Sequence, residues 1–371
     1  MRKIIFIIVL VVAIVGASLP LYFIGELHYY SSLSPLKKFS SYQELKSFVE
    51  ASSQANTYSD WVFSPQTWGL RATAMENAAE GLSVPDYSTT NIQVEGVDEA
   101  DVVKTDGKYI YVMSNKSVFI VKAYPAEEAE VVSRLDLNGT LMGVFINGDR
   151  LVVFEEKGFD AYILYEKFNS YEEPPAYESP RVFIRVYDIL DRTNPMEARN
   201  VSLDGYYFNS RMIGDYVYVV INKPAYCQDD EVALPKIYSD DGVREIPATD
   251  IYYSDIADYS YTFSTIVAVN VQNDAEEPTL EPFLLGAASN MYVSLNNIYI
   301  TFPENEKTLI YRIHMEGGQI DSAASGEVPG YVLNQFSMDE HNDHFRITTT
   351  TGQVWRTWGE TSSKNLSLIH I

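Results

Sequence analysis

A strand–turn–strand unit that recurs from residue 96 onward constrains the fold more than any other feature of the chain. The clearest copies are 139-GTLMGVFINGDRLVVF-154 and 205-GYYFNSRMIGDYVYVV-220, whose paired glycines are nine positions apart in both cases. Weaker copies are 96-GVDEADVVKTDGKYIYV-112, 286-GAASNMYVSLNNIYITF-302 and 330-GYVLNQFSMDEHNDHFRITTT-350. Apolar residues that alternate with polar ones and are broken by Asn-Gly, Asp-Gly or Gly-Asp indicate β-hairpins.

Two further strands are predicted after each of the first four copies. The predicted third strands are 117–124, 181–189, 262–271 and 307–315, and the predicted fourth strands are 131–137, 199–203, 280–285 and 320–328. From Gly139, successive units begin 66, 81 and 44 residues further on, at Gly205, Gly286 and Gly330. A period of about 44 residues is typical of one four-stranded propeller blade, and the longer spacings indicate insertions.

The predicted fold class is therefore all-β, a β-propeller of four-stranded antiparallel blades. Four blades and one hairpin are present, which is about four and a half blades. The propeller is predicted to occupy residues 91–365, with its first strand at 97–104 and the turn of that hairpin at Asp106-Gly107. A β-sandwich or separate small barrels are the alternatives, but neither predicts a unit that keeps the same relation to its following strands.

The N-terminus carries a predicted membrane segment. Met1-Arg2-Lys3 precedes an uncharged apolar run over residues 4–24, which is long enough to cross a bilayer as a helix with its basic flank inside. Residues 1–25 are thus predicted to be a transmembrane signal-anchor that leaves the body outside the cytoplasm, in a single-pass protein of the cell membrane. The small residues 15-VGA-17 keep a cleaved signal peptide, and a secreted protein, as the alternative.

Residues 26–90 are predicted to hold one helix and a Ser/Asn-rich linker. Ser41 and Glu44 form a capping box, and Leu45, Phe48 and Val49 follow at helical spacing.

Composition excludes some partners and sets the source of stability. The chain has 51 acidic and 27 basic residues and a formal charge of −24, which argues against nucleic acid because phosphate binding needs a basic face. The single cysteine, Cys227, cannot form an intrachain disulfide, so stability must come from the core. Four Asn-x-Ser/Thr sequons begin at Asn115, Asn138, Asn200 and Asn365, about as many as chance would supply.

The segment 90-TNIQVEGVDEADVVKTDG-107, together with the capping-box helix and 186-VYDILDRTNP-195, resembles a family of exported prokaryotic proteins that carry a C-terminal β-propeller distantly related to WD-40 repeats. The resemblance covers residues 36–365. It implies an exported or membrane-anchored propeller of uncharacterised function and supplies no catalytic residues. The propeller of this family continues further, so 366-LSLIHI-371 departs from the pattern; these residues are expected to be extraneous and the propeller to be incomplete.

Catalytic signatures are missing from the sequence, which favours a protein that is not an enzyme. There is no Gly-x-Ser-x-Gly elbow, phosphate-binding glycine loop, His-Glu-x-x-His or cysteine pair with zinc spacing. His341 and His344 fall on a predicted turn, and Cys227 lies in an acidic loop that suits a free bystander thiol.

Two insertions, residues 155–180 and 224–260, separate the second and third strands of blades two and three and should overhang the same face. The second insertion is acidic and rich in tyrosine, a composition that suits recognition of a protein or glycan at the cell surface. Its candidate contact residues are Asp229, Asp230, Tyr238, Asp240, Asp241, Tyr252, Tyr253, Asp255 and Asp258. No cofactor is predicted; Ca²⁺ is the ion that clustered carboxylates would suit, although no Asp-x-Asp-x-Asp-Gly loop is present.

Asp98, Glu99 and Asp101 form a second candidate cation site, because they lie where the first strand begins, near the predicted propeller axis. The overall prediction is an exported, membrane-anchored binding module. An extracytoplasmic hydrolase or dehydrogenase with its site partly in missing blades, and a structural component of the envelope, are the alternatives.

Overall fold

The computed structural model describes residues 36–54, 92–158, 180–239, 242–254, 261–286, 288–304, 306–351 and 364–365. Four antiparallel four-stranded meanders follow one another along these residues. Blade one contains Val103–Thr105, Tyr109–Ser114, Ser117–Lys122 and Glu130–Asp136; blade two Thr140–Asn147, Arg150–Lys157, Arg181–Asp188 and Met196–Asp204; blade three Tyr206–Ile213, Tyr216–Pro224, Thr262–Asn270 and Thr279–Leu285; blade four Asn290–Val293, Asn297–Glu304, Lys307–Glu316 and Gln319–Pro329. The predicted third and fourth strands are confirmed in all four blades.

The fifth unit is a hairpin in two pieces. Tyr331–Val332 pairs with Thr349–Thr351, and Met338–His341 pairs with His344–Ile347. The short 3-10 helix Gln335–Ser337 interrupts the first strand, and Lys364–Asn365 pairs with Thr349–Thr351 from outside. Half a blade after blade four is therefore confirmed.

The blades pack face to face in chain order. Tyr111 and Ile120 of blade one meet Leu151 and Val153 of blade two, and these four side chains are fully buried. The opposite face of blade two packs on blade three, blade three on blade four, and blade four on the fifth hairpin. Burying one such side chain contributes about 1.5–3 kcal/mol. The stacking of amphipathic sheets is thus the main source of stability, as expected for a chain with one cysteine.

The first predicted strand, 97–104, is wrong as a single strand. Val97–Glu99 instead pairs with Tyr206–Ile213, the first strand of blade three, and Asp101 forms a bridge with Val144 of blade two. Only Val103–Thr105 belongs to blade one. The polypeptide therefore crosses between the first strands of three blades before blade one begins, a route that the local hydrophobic pattern cannot show.

One face of blade one is largely uncovered in the described part of the chain. Val103 and Val131 are 44% and 59% exposed, and Ile110, Val112 and Phe119 on the same face are half-buried. The corresponding face of blade two is covered by blade one. Among the described residues, no neighbouring blade packs on this face.

Residues before blade one and the second insertion build an additional layer, which we call the cap: residues 36–54, 225–239 and 242–254. It contains the helix Tyr42–Gln54, the 3-10 helix Ala248–Asp250 and the short strands Lys37–Lys38, Cys227–Gln228, Glu231–Val232, Lys236–Ser239, Gly242–Glu245 and Tyr252–Tyr253. A further 3-10 helix, Ala126–Glu128, precedes the last strand of blade one. Within the described ranges, no helix is long and apolar enough to cross a membrane. The predicted anchor at 1–25 and the predicted tail at 366–371 lie outside them.

Candidate binding surface

The cap is a packed structure with its own core. Leu45 and Val49 of the helix are fully buried, and they pack with Ile246 and Ile251 of the insertion and with Phe263 of blade three. The predicted N-cap is present, because the Glu44 backbone NH donates to Ser41 Oγ (3.2 Å), and the Glu44 carboxylate accepts from the backbone NH of Ser40, one residue before the N-cap (2.8 Å). The second insertion is therefore a folded platform over blade three.

Two sheet extensions fix the cap to the blades. Tyr252–Tyr253 adds to Thr279–Leu285, the outer strand of blade three, in a parallel pairing. Lys236–Ser239 adds to Met196–Asp204, the outer strand of blade two, and Gly242–Glu245 lies outside it at the sheet edge. The cap thus spans two neighbouring blades and holds their outer edges together.

Three of the predicted contact tyrosines pack within the molecule. Tyr253 is buried and its ring stacks on Phe39 with centroids 4.0 Å apart. The Arg181 guanidinium covers the half-buried Tyr238 ring at 3.7 Å, and the Lys38 ammonium lies 4.3 Å from the centre of the Tyr252 ring. These rings help to position the cap on the blades, a role that the sequence did not indicate.

The predicted acidic residues divide between the tip of a hairpin and parts outside the described residues. Asp229 and Asp230 form the exposed turn after Cys227–Gln228, with positive φ values of 51° and 66°. Asp240, Asp241, Asp255 and Asp258 lie outside the described residues. Of the six predicted acidic contact residues, the structure therefore describes only the two at this turn.

Beside that turn, Glu50, Cys227 and Asp230 bring three ligand-type atoms within 4.8 Å of one another. The Lys46 ammonium already lies 2.7 Å from Asp230 and 3.6 Å from Glu50. Burial raises the pKa of the Cys227 thiol, whose Sγ lies 3.6 Å from a Glu50 carboxylate oxygen. The Lys46 cation therefore offsets one of the two negative charges that would attract a metal.

Exposed side chains on the cap were missed by the sequence reasoning. Tyr226 is 60% exposed and Val243 is 62% exposed. Val243 belongs to Gly242–Glu245, a strand that is exposed along its whole length. Tyrosine content pointed to this insertion, but the pattern could not tell the exposed ring from the buried ones, because that depends on contacts with the helix and blade three.

The three carboxylates of the second candidate cation site do not converge. Asp98 accepts from the buried Lys104 ammonium at 2.7 Å, and Glu99 pairs with the buried Arg211 guanidinium at 3.3 Å. Asp101 caps the Val102 backbone NH at 2.6 Å. Arg211 also donates to Gln335 of the fifth hairpin at 2.9 Å. Asp98 thus pairs with a cation of blade one, and Glu99 pairs with a cation of blade three that also reaches the fifth unit.

A carboxyl group at the junction of the cap with blades three and four titrates near neutrality. Burial raises the pKa of Glu281 to about 7, against the opposing effect of Lys38, while the Asp321 carboxylate of blade four raises it further. The group therefore carries a proton in the folded state at pH values where it is ionised in the unfolded chain. Glu281 therefore stabilises the folded state at acidic pH, and this stabilisation is lost as the pH rises through 7.

The stacked meanders agree with a comparison against known families. The family model described as Beta propeller domain matches residues 87–370. The chain belongs to this family.

Two relatives of this β-propeller are uncharacterised archaeal proteins. One, from Methanocaldococcus jannaschii, is 24% identical over 332 residues, which cover 87% of this chain and 47% of the relative. The other, from Archaeoglobus fulgidus, is 22% identical over 400 residues, which cover 86% of this chain and 63% of the relative. The chain thus spans about half to three fifths of the relatives it matches.

Among solved structures, Hsv2 of Kluyvelomyces marxianus is similar over 60% of this chain and 82% of that chain, at 8% identity and a TM-score of 0.19. This score is too low to carry an argument.

Proposed function

We propose that this β-propeller is a non-catalytic binding module that is exported, held at the membrane by its N-terminal apolar run, and bound to a protein partner through the cap. The observation that carries the binding role is the outer surface of the cap, where Tyr226, Val243 and the edge strand Gly242–Glu245 are exposed. An edge strand offers unpaired backbone groups to a partner. A tyrosine offers contact area and a hydroxyl at little entropic cost.

Charge indicates the kind of partner. The formal charge of −24 and the acidic turn Asp229-Asp230 next to the helix suit a protein with a basic contact face. The ion pairs of Asp98 and Glu99 with the buried Lys104 and Arg211 side chains support a structural role for these two carboxylates.

Site-specific photo-crosslinking in intact cells tests the contact surface. A benzoylphenylalanine at position 226 or 243 of the full chain should give a covalent adduct with one protein. Tyr124 of blade one and Met196 of blade two are matched controls, since they are 58% and 59% exposed and are not part of the cap. Equal yields at the four positions, or adducts only at 124 and 196, would contradict the cap as the contact surface.

The membrane attachment has a separate test. The double substitution Val11→Asp and Ile14→Asp places two charges in the apolar run, each of which costs about 2.5–3.5 kcal/mol in a membrane-spanning helix. The variant should lose its attachment to membranes after carbonate extraction, and external protease should no longer degrade it in intact cells. Ser31→Asp with Ser32→Asp, just beyond the run, is the control and should behave as wild type. Wild-type protein that is protected from external protease would show that the body is not exported.

A further inference from the structure

The sequons of this chain differ in whether the fold exposes their asparagine and hydroxyl side chains. A sequon offers two groups to a glycosyl transferase, the asparagine amide and the hydroxyl two residues later. Three of the four sequons lie where side chains are described: Asn115 with Ser117, Asn138 with Thr140, and Asn200 with Ser202. Their number alone says nothing, so the argument rests on which groups the fold exposes.

The sequon at Asn138 exposes both groups. Asn138 and Thr140 are exposed on either side of the buried Gly139, in the connection between blades one and two. The backbone is held firmly there, because the Asn138 and Gly139 NH groups donate to a carboxylate oxygen of Glu155 at 2.9 and 2.6 Å. The Lys116 ammonium donates to the Asn138 carbonyl at 3.0 Å. The side chain of Asn138 therefore projects from a fixed corner of the molecule.

The other two sequons hide at least one group. Asn115 is exposed on a turn, but the hydroxyl of Ser117 is buried and donates to Asp136 at 2.6 Å. Asn200 is half-buried within the outer strand of blade two, opposite Arg185, and Ser202 is only 4% exposed. A transferase that acts on the folded protein would have to break native structure at either position.

We infer that Asn138 is a site of N-linked glycosylation and that Asn115 and Asn200 are not. The donor is a sugar chain joined through its anomeric carbon to a lipid-linked phosphate. In the transfer, the Asn138 Nδ2 forms a bond to the anomeric carbon, the carbon–oxygen bond to phosphate breaks, the lipid phosphate leaves with the electron pair, and an amide proton passes to the base of the transferase. The inference rests on the proposed export, which brings the chain to membrane-bound transferases.

A reconstituted assay tests the inference independently of export. Purified, folded full-length protein is incubated with membranes that contain a lipid-linked oligosaccharide and its transferase, and an Asn-Gly-Thr peptide serves as a positive control for transfer. Glycopeptide mass spectrometry should find the sugar on the peptide that contains Asn138. Asn138→Gln and Thr140→Val should each abolish it, whereas Asn115→Gln and Asn200→Gln should leave it unchanged. Unchanged melting temperatures would show that the variants are folded.

Two results would overturn the inference. One is an unmodified Asn138 while the control peptide is glycosylated, and the other is modification of Asn115 or Asn200 to the same extent as Asn138. Mass spectrometry of the protein from its own membranes extends the test to the cell. Neither result affects the cap as a contact surface, which the crosslinking experiment tests, or the export itself, which protease accessibility tests.

Discussion

Replacing Gly205 with alanine is expected to destabilise the protein by about 3–5 kcal/mol, enough to remove much of the stability of an ordinary domain. Gly205 begins blade three with φ = +125°, a backbone conformation that is essentially restricted to glycine. An added Cβ would also lie 2.7 Å from the Asn222 carbonyl oxygen of the adjacent strand. Neither the turn nor the strand can move away without breaking the pairing of Tyr206 with Asn222.

Two other glycines separate these two causes. Gly148 has φ = +58° in the hairpin turn of blade two, and nothing lies within 4 Å of an added Cβ, so Gly148→Ala should cost only about 1–2 kcal/mol for its left-handed backbone. Gly139 has an ordinary backbone, but an added Cβ would meet the Glu156 carbonyl oxygen. Its cost of roughly 1–3 kcal/mol would come from the close approach alone.

Chemical denaturation of the three variants measures these differences. We expect Gly205→Ala to lower the free energy of unfolding most. Gly139→Ala should lower it by an intermediate amount, or by as much as Gly148→Ala does. Gly148→Ala should lower it by no more than about 2 kcal/mol. If Gly205→Ala were as stable as Gly148→Ala, the blade would not depend on the close approach of its first and second strands.

The recurrence of these glycines is why the blades could be predicted from the sequence. Asn147-Gly148 and Gly214-Asp215 mark turns by local backbone preference, and alternating valines mark strands by a period of two, so both signals lie within a few residues. Glycine at 139 and 205 repeats because each blade begins with the same close approach between two strands. Local rules are sufficient for such features.

The cap and the axis could not be predicted because their contacts are distant in sequence. Val97–Glu99 pairs with Tyr206–Ile213, more than a hundred residues later, and its one valine suits a strand of blade one equally well. Tyr253 is buried by Phe39 and Phe48, which lie more than two hundred residues earlier in the chain. Asp98 and Glu99 were predicted as part of a cation site from their position at the start of the first strand, whereas their partners, Lys104 and Arg211, come from two different blades.

Removal of the Glu155 carboxylate should be the second large loss, about 3–5 kcal/mol for Glu155→Ala. Glu155 is fully buried, and it accepts from the backbone NH groups of Asn138 and Gly139 and from the Arg185 guanidinium at 2.8 Å. Lys157 is a further cation at 3.2 Å. The alanine variant leaves two backbone donors without their acceptor and weakens the pairing of Arg185 inside the sheet, while the connection into blade two loses its anchor.

The pH dependence distinguishes the charge of Glu155 from its hydrogen bonds. Burial alone would raise the pKa of Glu155, but hydrogen bonds from Arg185, the Gly139 NH and Lys157 outweigh it and hold the pKa below its usual range. The folded state therefore binds this proton less readily than the unfolded state. The stabilisation is present above the unfolded pKa, about 4.3, and is lost as the pH falls through the folded pKa.

Glu155→Gln keeps an acceptor oxygen and removes the charge, so it should be less damaging than alanine, with a cost of about 1–3 kcal/mol at pH 7. The difference in free energy of unfolding between wild type and Glu155→Gln, measured by urea denaturation, should become smaller as the pH falls from 5 towards 3. Glu128→Ala, which removes an exposed carboxylate that pairs with Lys122, is the control and should leave stability unchanged. A difference that stayed constant over this range would mean that Glu155 stabilises the start of blade two through packing and not as an anion.

Because the same carboxylate accepts hydrogen bonds from the backbone at Asn138, Glu155→Ala should also make the backbone of this sequon more mobile, whereas Glu155→Gln should preserve it.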